Sequence, residues 1–116
     1  MLVTTMSPDR SVTWIFGQNG MLRRHDADIS GLRMQHSGVT TDLVAGSAPS
    51  ATVCWIVGRS GTIIRTTDGE HWELIRGPST DNLKGVSASS AKDATITTAG
   101  GQSFMTSDGG ASWHLR

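Results

Sequence analysis

The 116-residue sequence contains no tyrosine, one cysteine, three prolines and two glutamates, Glu70 and Glu73. With Cys54 alone, an intrachain disulfide and a cysteine-based zinc site are both excluded. Neither sign of charge is in excess: 10 Lys+Arg face 10 Asp+Glu, a formal net charge of +0 at pH 7. Nucleic-acid modules and polybasic membrane binders carry a basic excess, so neither nucleic acid nor a charged membrane surface is an expected partner. No stretch approaches the ~18 consecutive apolar residues of a spanning helix, so direct membrane insertion is not expected. The start, Met1 to Thr5, lacks the charged region and apolar run of a secretory signal. What is plentiful is Gly, Ser and Thr, with four Trp. That mixture suits short strands and tight turns rather than helix bundles.

The chain repeats itself. Leu2-Val3 to Trp14-Ile15-Phe16-Gly17 aligns with Leu43-Val44 to Trp55-Ile56-Val57-Gly58 at a constant offset of 41, and Gly20 then meets Gly61 and Arg24 meets Arg65. A third copy follows at an offset of 40: Leu83 meets Leu43, Ile96 meets Ile56 and Gly101 meets Gly61, with Thr95 in place of the tryptophan. A period near 40 residues is the size of one four-stranded propeller blade. Within the second copy, Leu43 to Ala45, Thr52 to Val57, Thr62 to Thr66 and Trp72 to Ile75 read as strands, separated by turns rich in Pro, Ser, Gly and Asp. No window shows a clean 3.6-residue period, so essentially no helix is expected. The second strand is nearly all apolar, as expected when both its faces are buried between stacked blades. Trp14, Cys54 and Trp55 are therefore read as inter-blade core, with ligand stacking by the two tryptophans as the other reading.

Thr106-Ser107-Asp108-Gly109-Gly110-Ala111-Ser112-Trp113 fits the pattern Ser/Thr-x-Asp-x-Gly-x-x-Trp, and Thr66-Thr67-Asp68-Gly69-Glu70-His71-Trp72 is the same turn one residue shorter. These segments resemble the Asp-box, or bacterial-neuraminidase repeat. With the Trp-Ile-Val-Gly-x-x-Gly-x-Ile-x-x-Thr strand motif at Trp55 to Thr66, nearly the whole chain resembles the photosystem II stability/assembly-factor-like family of β-propellers. Physical chemistry gives the turn a structural role by itself. An aspartate accepts bonds from the amides that follow it, glycine supplies positive φ at the reversal, and the tryptophan packs across the hairpin. Thr66, Asp68, Gly69, Trp72, Thr106, Asp108, Gly110 and Trp113 are accordingly read as a folding device. The first copy, Arg24-His25-Asp26-Ala27-Asp28, lacks the glycine and tryptophan, so another loop conformation is expected there.

Catalytic chemistry is hard to find. Resemblance to sialidases would require their tyrosine nucleophile, and there is none. His25, His36, His71 and His114 do not pair at metal-ligand spacing, and Asp26-Ala27-Asp28 is only a fragment of a calcium loop. Gly100-Gly101 and Gly109-Gly110 precede no helix and so do not form a phosphate loop. No catalytic residue, metal or cofactor is expected, and the chain is read as non-enzymatic. Arg24 and Arg65 share a repeat position, and with Arg59 they are candidates for a partner surface; Met105 ends the series in the third copy.

The reading is therefore one all-β module of three propeller blades, at about 1–38, 39–78 and 79–116. Propellers close with four to eight blades, so three should leave an apolar face at each end in need of company. The expectation is a homodimer completing a six-bladed ring, with the 2–32 blade set against the 83–115 blade of the other copy, or further blades in a longer chain. The family resemblance implies a protein-interaction, scaffold or assembly/stability role, in a bacterial protein whose setting is envelope-associated or extracytoplasmic rather than cytoplasmic. The alternative is a lectin-like module that stacks glycans on Trp14 and Trp55.

Overall fold

Short β-branched runs cut by Gly, Ser and Asp turns cannot build long elements, and the fold is made of strands of two to six residues. The computed structural model describes residues 2–27 and 33–116, so the expectation for Asp28 lies outside the described residues. Blade 1 comprises β1 (Leu2–Met6), β2 (Val12–Gly17), β3 (Leu22–Asp26) and β4 (Arg33–Met34). Blade 2 comprises β5 (Leu43–Ser47), β6 (Cys54–Gly58), β7 (Ile63–Thr66) and β8 (Trp72–Ile75). Blade 3 comprises β9 (Leu83–Ala88), β10 (Ala94–Thr98), β11 (Ser103–Thr106) and β12 (His114–Leu115). Each blade is a four-stranded antiparallel sheet with its strands in chain order. The architecture is that of consecutive β-propeller blades. β1 lies beside β5 and β5 beside β9, which sets the first strands on the inner side of an arc measuring 41 × 26 × 20 Å.

The registers repeat with the sequence. Trp14 pairs with Arg24, Trp55 with Arg65 and Thr95 with Met105. The helical content among the described residues is two single 3-10 turns, Gln18–Gly20 and Arg59–Gly61, each joining the second strand of a blade to its third. Asn19 and Ser60 sit there at φ 60, in the left-handed region. Their amides are held by the next blade: Asn19 N–H donates to Asp42 Oδ1 at 3.0 Å, and Ser60 N–H to Asn82 Oδ1 at 2.9 Å.

The core sits between blades rather than within them. One cluster joins Trp14, Phe16 and Leu22 of blade 1 to Leu43, Cys54, Ile56 and Ile64 of blade 2. The second joins Trp55, Val57 and Ile63 to Leu83, Ala94 and Ile96. Strand β6 contributes to both and is buried along its whole length. In β2, Thr13 and Ile15 stay half-buried, because no blade among the described residues covers the far side of blade 1.

The two ends differ, which corrects the expectation of an apolar face at each. Alternation along β1 to β4 turns Leu2, Met6 and Met34 outward on blade 1, exposed to 70%, 48% and 72%, next to Arg23. The outward side of blade 3 instead presents Thr95, Thr97 and Ser103, with Met105 as its one large apolar side chain.

Candidate functional site

The most organised chemistry in the molecule lies at the two joints, and each is built from the same parts. Trp14 of β2 meets Trp72 of β8 edge to face, with centroids 6.3 Å apart and planes at 87°. Trp55 of β6 meets Trp113 just before β12 in the same way, at 6.2 Å and 83°. Each pair thus joins the second strand of one blade to the outer part of the next. Such pairs contribute about 0.5–1.5 kcal/mol beyond their area, and a tryptophan buries about 150–250 Å².

Beside each tryptophan an arginine crosses the joint. Arg24 Nη1 donates to the Gly69 carbonyl at 2.6 Å, and its Nε donates to Asp26 Oδ1 at 2.7 Å. Arg65 Nη1 donates to the Gly109 carbonyl at 2.8 Å and to the Ala91 carbonyl at 2.9 Å, and Arg65 also pairs with Glu73. The Arg65 guanidinium lies over the Trp55 ring, 5.3 Å from its centroid. Gly69 (φ +78) and Gly109 (φ +74) answer two demands at once: the turn needs positive φ, and an added Cβ would sit 2.5 Å from the arginine Nη1 at either position.

The loops that carry these carbonyls are held from inside. Asp68 Oδ1 accepts from the Glu70 and His71 amides at 2.9 and 2.8 Å, and Thr66 Oγ1 accepts from the Gly69 amide at 2.9 Å. Asp108 Oδ1 accepts from the Ser112 amide at 2.9 Å, and Thr106 Oγ1 accepts from the Gly110 amide at 3.0 Å. Donation from the His71 amide and ring holds the Asp68 carboxyl far below its ordinary value. The Ser112 hydroxyl and amide do the same to Asp108. The Asp68 carboxylate in turn raises His71. Where the first copy departs from the pattern, Asp26 lies in β3, and its carboxyl is lowered first by the hydrogen bond from Arg24. Arg33 donates to the other Asp26 oxygen at 2.9 Å.

Trp14 and Trp55 have no exposed surface and lie in the clusters that join adjacent blades, the inter-blade core read from sequence, so neither ring face is open to a glycan as the other reading required. The arginine reading is corrected. Arg24 and Arg65 are 13% and 15% exposed, because their guanidinium groups are committed to the next blade. Of the three candidate arginines, Arg59 alone projects outward, at 58% exposure, with Asp42 Oδ2 at 3.2 Å. Sequence reasoning missed Gln35, whose Nε2 donates to the Gly69 carbonyl at 2.8 Å while its Oε1 accepts from Trp72 Nε1 at 2.8 Å. Nothing in the repeat could have flagged it, since Trp113 Nε1 donates to the Arg76 carbonyl instead. The recurrence of Arg24 and Arg65 was visible, but the Gly69 and Gly109 carbonyls they reach lie more than forty residues further along the chain.

The surface also carries open clefts, three of which bear on the blade ends and turns. Those beside the 3-10 turns, between Asn19 and Val39 and between Ser60 and Thr80, hold about 560 and 430 Å³ and are repeat equivalents. The third, about 270 Å³, lies on the outward side of blade 3 between Ser87, Thr95 and Met105. Among the described residues no three His, Cys, Asp or Glu side chains converge to hold a metal.

YCF48 from Cyanidioschyzon merolae superposes on 98% of this chain with a TM-score of 0.84 at 20% identity. The fold is that of the YCF48 propeller. A second solved structure, YCF48 bound to D1 peptide, matches 98% of the chain with a TM-score of 0.80 at 21% identity. The chain spans 39% and 42% of the length of these two YCF48 chains. No family model matches the sequence, and no curated protein matches it. The fold implied by the resemblance to photosystem II stability/assembly-factor-like propellers is the fold observed.

Proposed function

We propose that this chain is a non-enzymatic interaction module, an arc of propeller blades that holds a segment of another protein. The observation that carries the reading is the shared fold with YCF48, one structure of which was solved bound to D1 peptide. The contact surface is the outward side of blade 1, where exposed Leu2, Met6 and Met34 lie beside the cation of Arg23. Apolar area next to positive charge suits a segment carrying apolar and acidic side chains. A second copy of the chain is the competing occupant. The glycan reading loses its residues, because Trp14 and Trp55 are closed inside the joints.

The test is a random-peptide array probed with the labelled chain, with a glycan array in parallel. Bound peptides should be enriched in Leu, Ile, Phe, Asp and Glu, the glycan array should stay silent, and Arg23→Glu should weaken peptide binding about 10-fold, the effect expected of ~1.4 kcal/mol. An array with no enriched peptide class, or saturable glycan binding, would remove the proposal.

A further inference from the structure

We infer that the side of blade 3 turned away from blade 2 is a solvent-facing end cap, a surface on which no further blade packs. In blades 1 and 2 the equivalent side is a joint. Val12, Trp14, Phe16 and Leu22 line it in blade 1, with Arg24 as the clasp. Val53, Trp55, Val57 and Ile63 line it in blade 2, with Arg65 as the clasp. At the same five positions blade 3 carries Asp93, Thr95, Thr97, Ser103 and Met105. The four apolar side chains are all replaced by polar ones, and the arginine is lost with them.

The replacement is confined to one side. The other side of the same strands keeps Ala94, Ile96 and Phe104, packed against blade 2. Strand β10 therefore alternates buried and half-buried residues, the pattern of an antiparallel strand with one face on a core and one toward water. The outward polar groups are engaged with one another: Thr97 and Ser103 hydroxyls lie 3.4 Å apart across β10 and β11, and the Ser90 hydroxyl donates to Asp93 Oδ2 at 3.1 Å. A blade docked here would bury the Asp93 carboxylate and several hydroxyls, while the arginine that binds the next loop is missing. The cleft of about 270 Å³ left on this side occupies the place where a tryptophan and the next blade's turn sit in the internal joints. Arrays of stacked repeats need a terminal unit with a polar outer face to remain soluble, and blade 3 has that form whatever precedes or follows it in sequence. A head-to-tail ring of two copies has no joint of the internal kind to close on.

The test places a charge on this side in the intact chain, as Thr97→Arg and separately Ser103→Lys, with Val57→Arg as the internal-joint control. Both cap variants should keep the wild-type molar mass by light scattering and a thermal midpoint within about 4 °C, as surface substitutions do in a domain of this size. Val57→Arg should abolish cooperative unfolding. A fall in molar mass, or a larger loss of midpoint in both cap variants, would overturn the inference. Loss of peptide binding by folded Thr97→Arg would also overturn it while leaving the interaction reading intact. A wild-type chain that binds no peptide, with both cap variants unperturbed, supports the cap and removes the interaction reading.

Discussion

Trp14 and Trp55 occupy one repeat position and are equally buried, but their ring N–H groups differ in what they meet. Trp55 Nε1 donates to the Ser90 carbonyl at 3.1 Å, whereas Trp14 Nε1 finds no acceptor among the described residues. A buried unpaired N–H costs about 1–3 kcal/mol, and a satisfied one contributes about 0.5–1.5 kcal/mol. Phenylalanine removes the N–H in both cases. Trp55→Phe should therefore destabilise more than Trp14→Phe, by about 1.5–4.5 kcal/mol. Urea unfolding of the two variants reads the difference, and equal losses would contradict this account.

The elements that decide the blade geometry are the two loops after the third strands, and their hydrogen bonds fix how stability depends on pH. Asp68 and Asp108 sit far below the ordinary carboxylate value in the fold, and Asp9, accepting from the Ser11 amide and hydroxyl, is lowered to about 2. A depressed carboxyl stabilises fully above its unfolded value of about 3.9, and that contribution drains away as pH falls toward the folded value. His71 is raised, so its contribution is present below about 6.5 and is lost as pH rises through the folded value. Thermal midpoints should thus form a plateau between about pH 4 and 6.5, fall steeply on the acid side and slightly on the alkaline side. Asp68→Asn should soften the acid slope and remove the alkaline shoulder together, since one carboxylate supports both. A variant with the slopes of the wild type would show that the loop is held by other means.

For the whole molecule, the central blade is the one sheet among the described residues that is covered on both sides, and Cys54 lies in it with no exposed surface. Burial pushes its thiol well above the ordinary value. Opening either joint alone leaves the other packed on β6, but Cys54 belongs to the blade 1 joint and is reached when that joint parts. Reaction with a thiol reagent at pH 7.5 should be slower than for a free thiol by a factor of about 10³ or more, the reciprocal of the open fraction in a domain several kcal/mol stable. Urea should remove that protection in step with loss of the Trp14–Trp72 contact, followed by fluorescence. Labelling at the free-thiol rate in native buffer would mean that blades 1 and 2 do not stay docked.

The fold was legible because its signals are periodic. A spacing of forty or forty-one residues, β-branched second strands and the Thr-x-Asp-Gly turns repeat at matching places, and backbone hydrogen bonding within a blade depends on little else. The loop chemistry was legible for the same reason, since Asp68 and Asp108 bind amides within four residues. At the joints the buried Trp14, Cys54 and Trp55 were legible, and their cross-blade bonds were not. That Arg24 and Arg65 bind the carbonyls of Gly69 and Gly109, and that Gln35 bridges Gly69 and Trp72, depends on which surfaces the stack brings together. The ends show the division most clearly. Asp93, Thr97 and Ser103, like the Thr95 that replaces the repeat tryptophan, stand in the sequence as separate departures from a repeat. Strand register puts them on one side of one sheet, and only stacking decides what that side is, because the side a strand residue faces becomes inside or outside when a neighbouring blade covers it or leaves it to water.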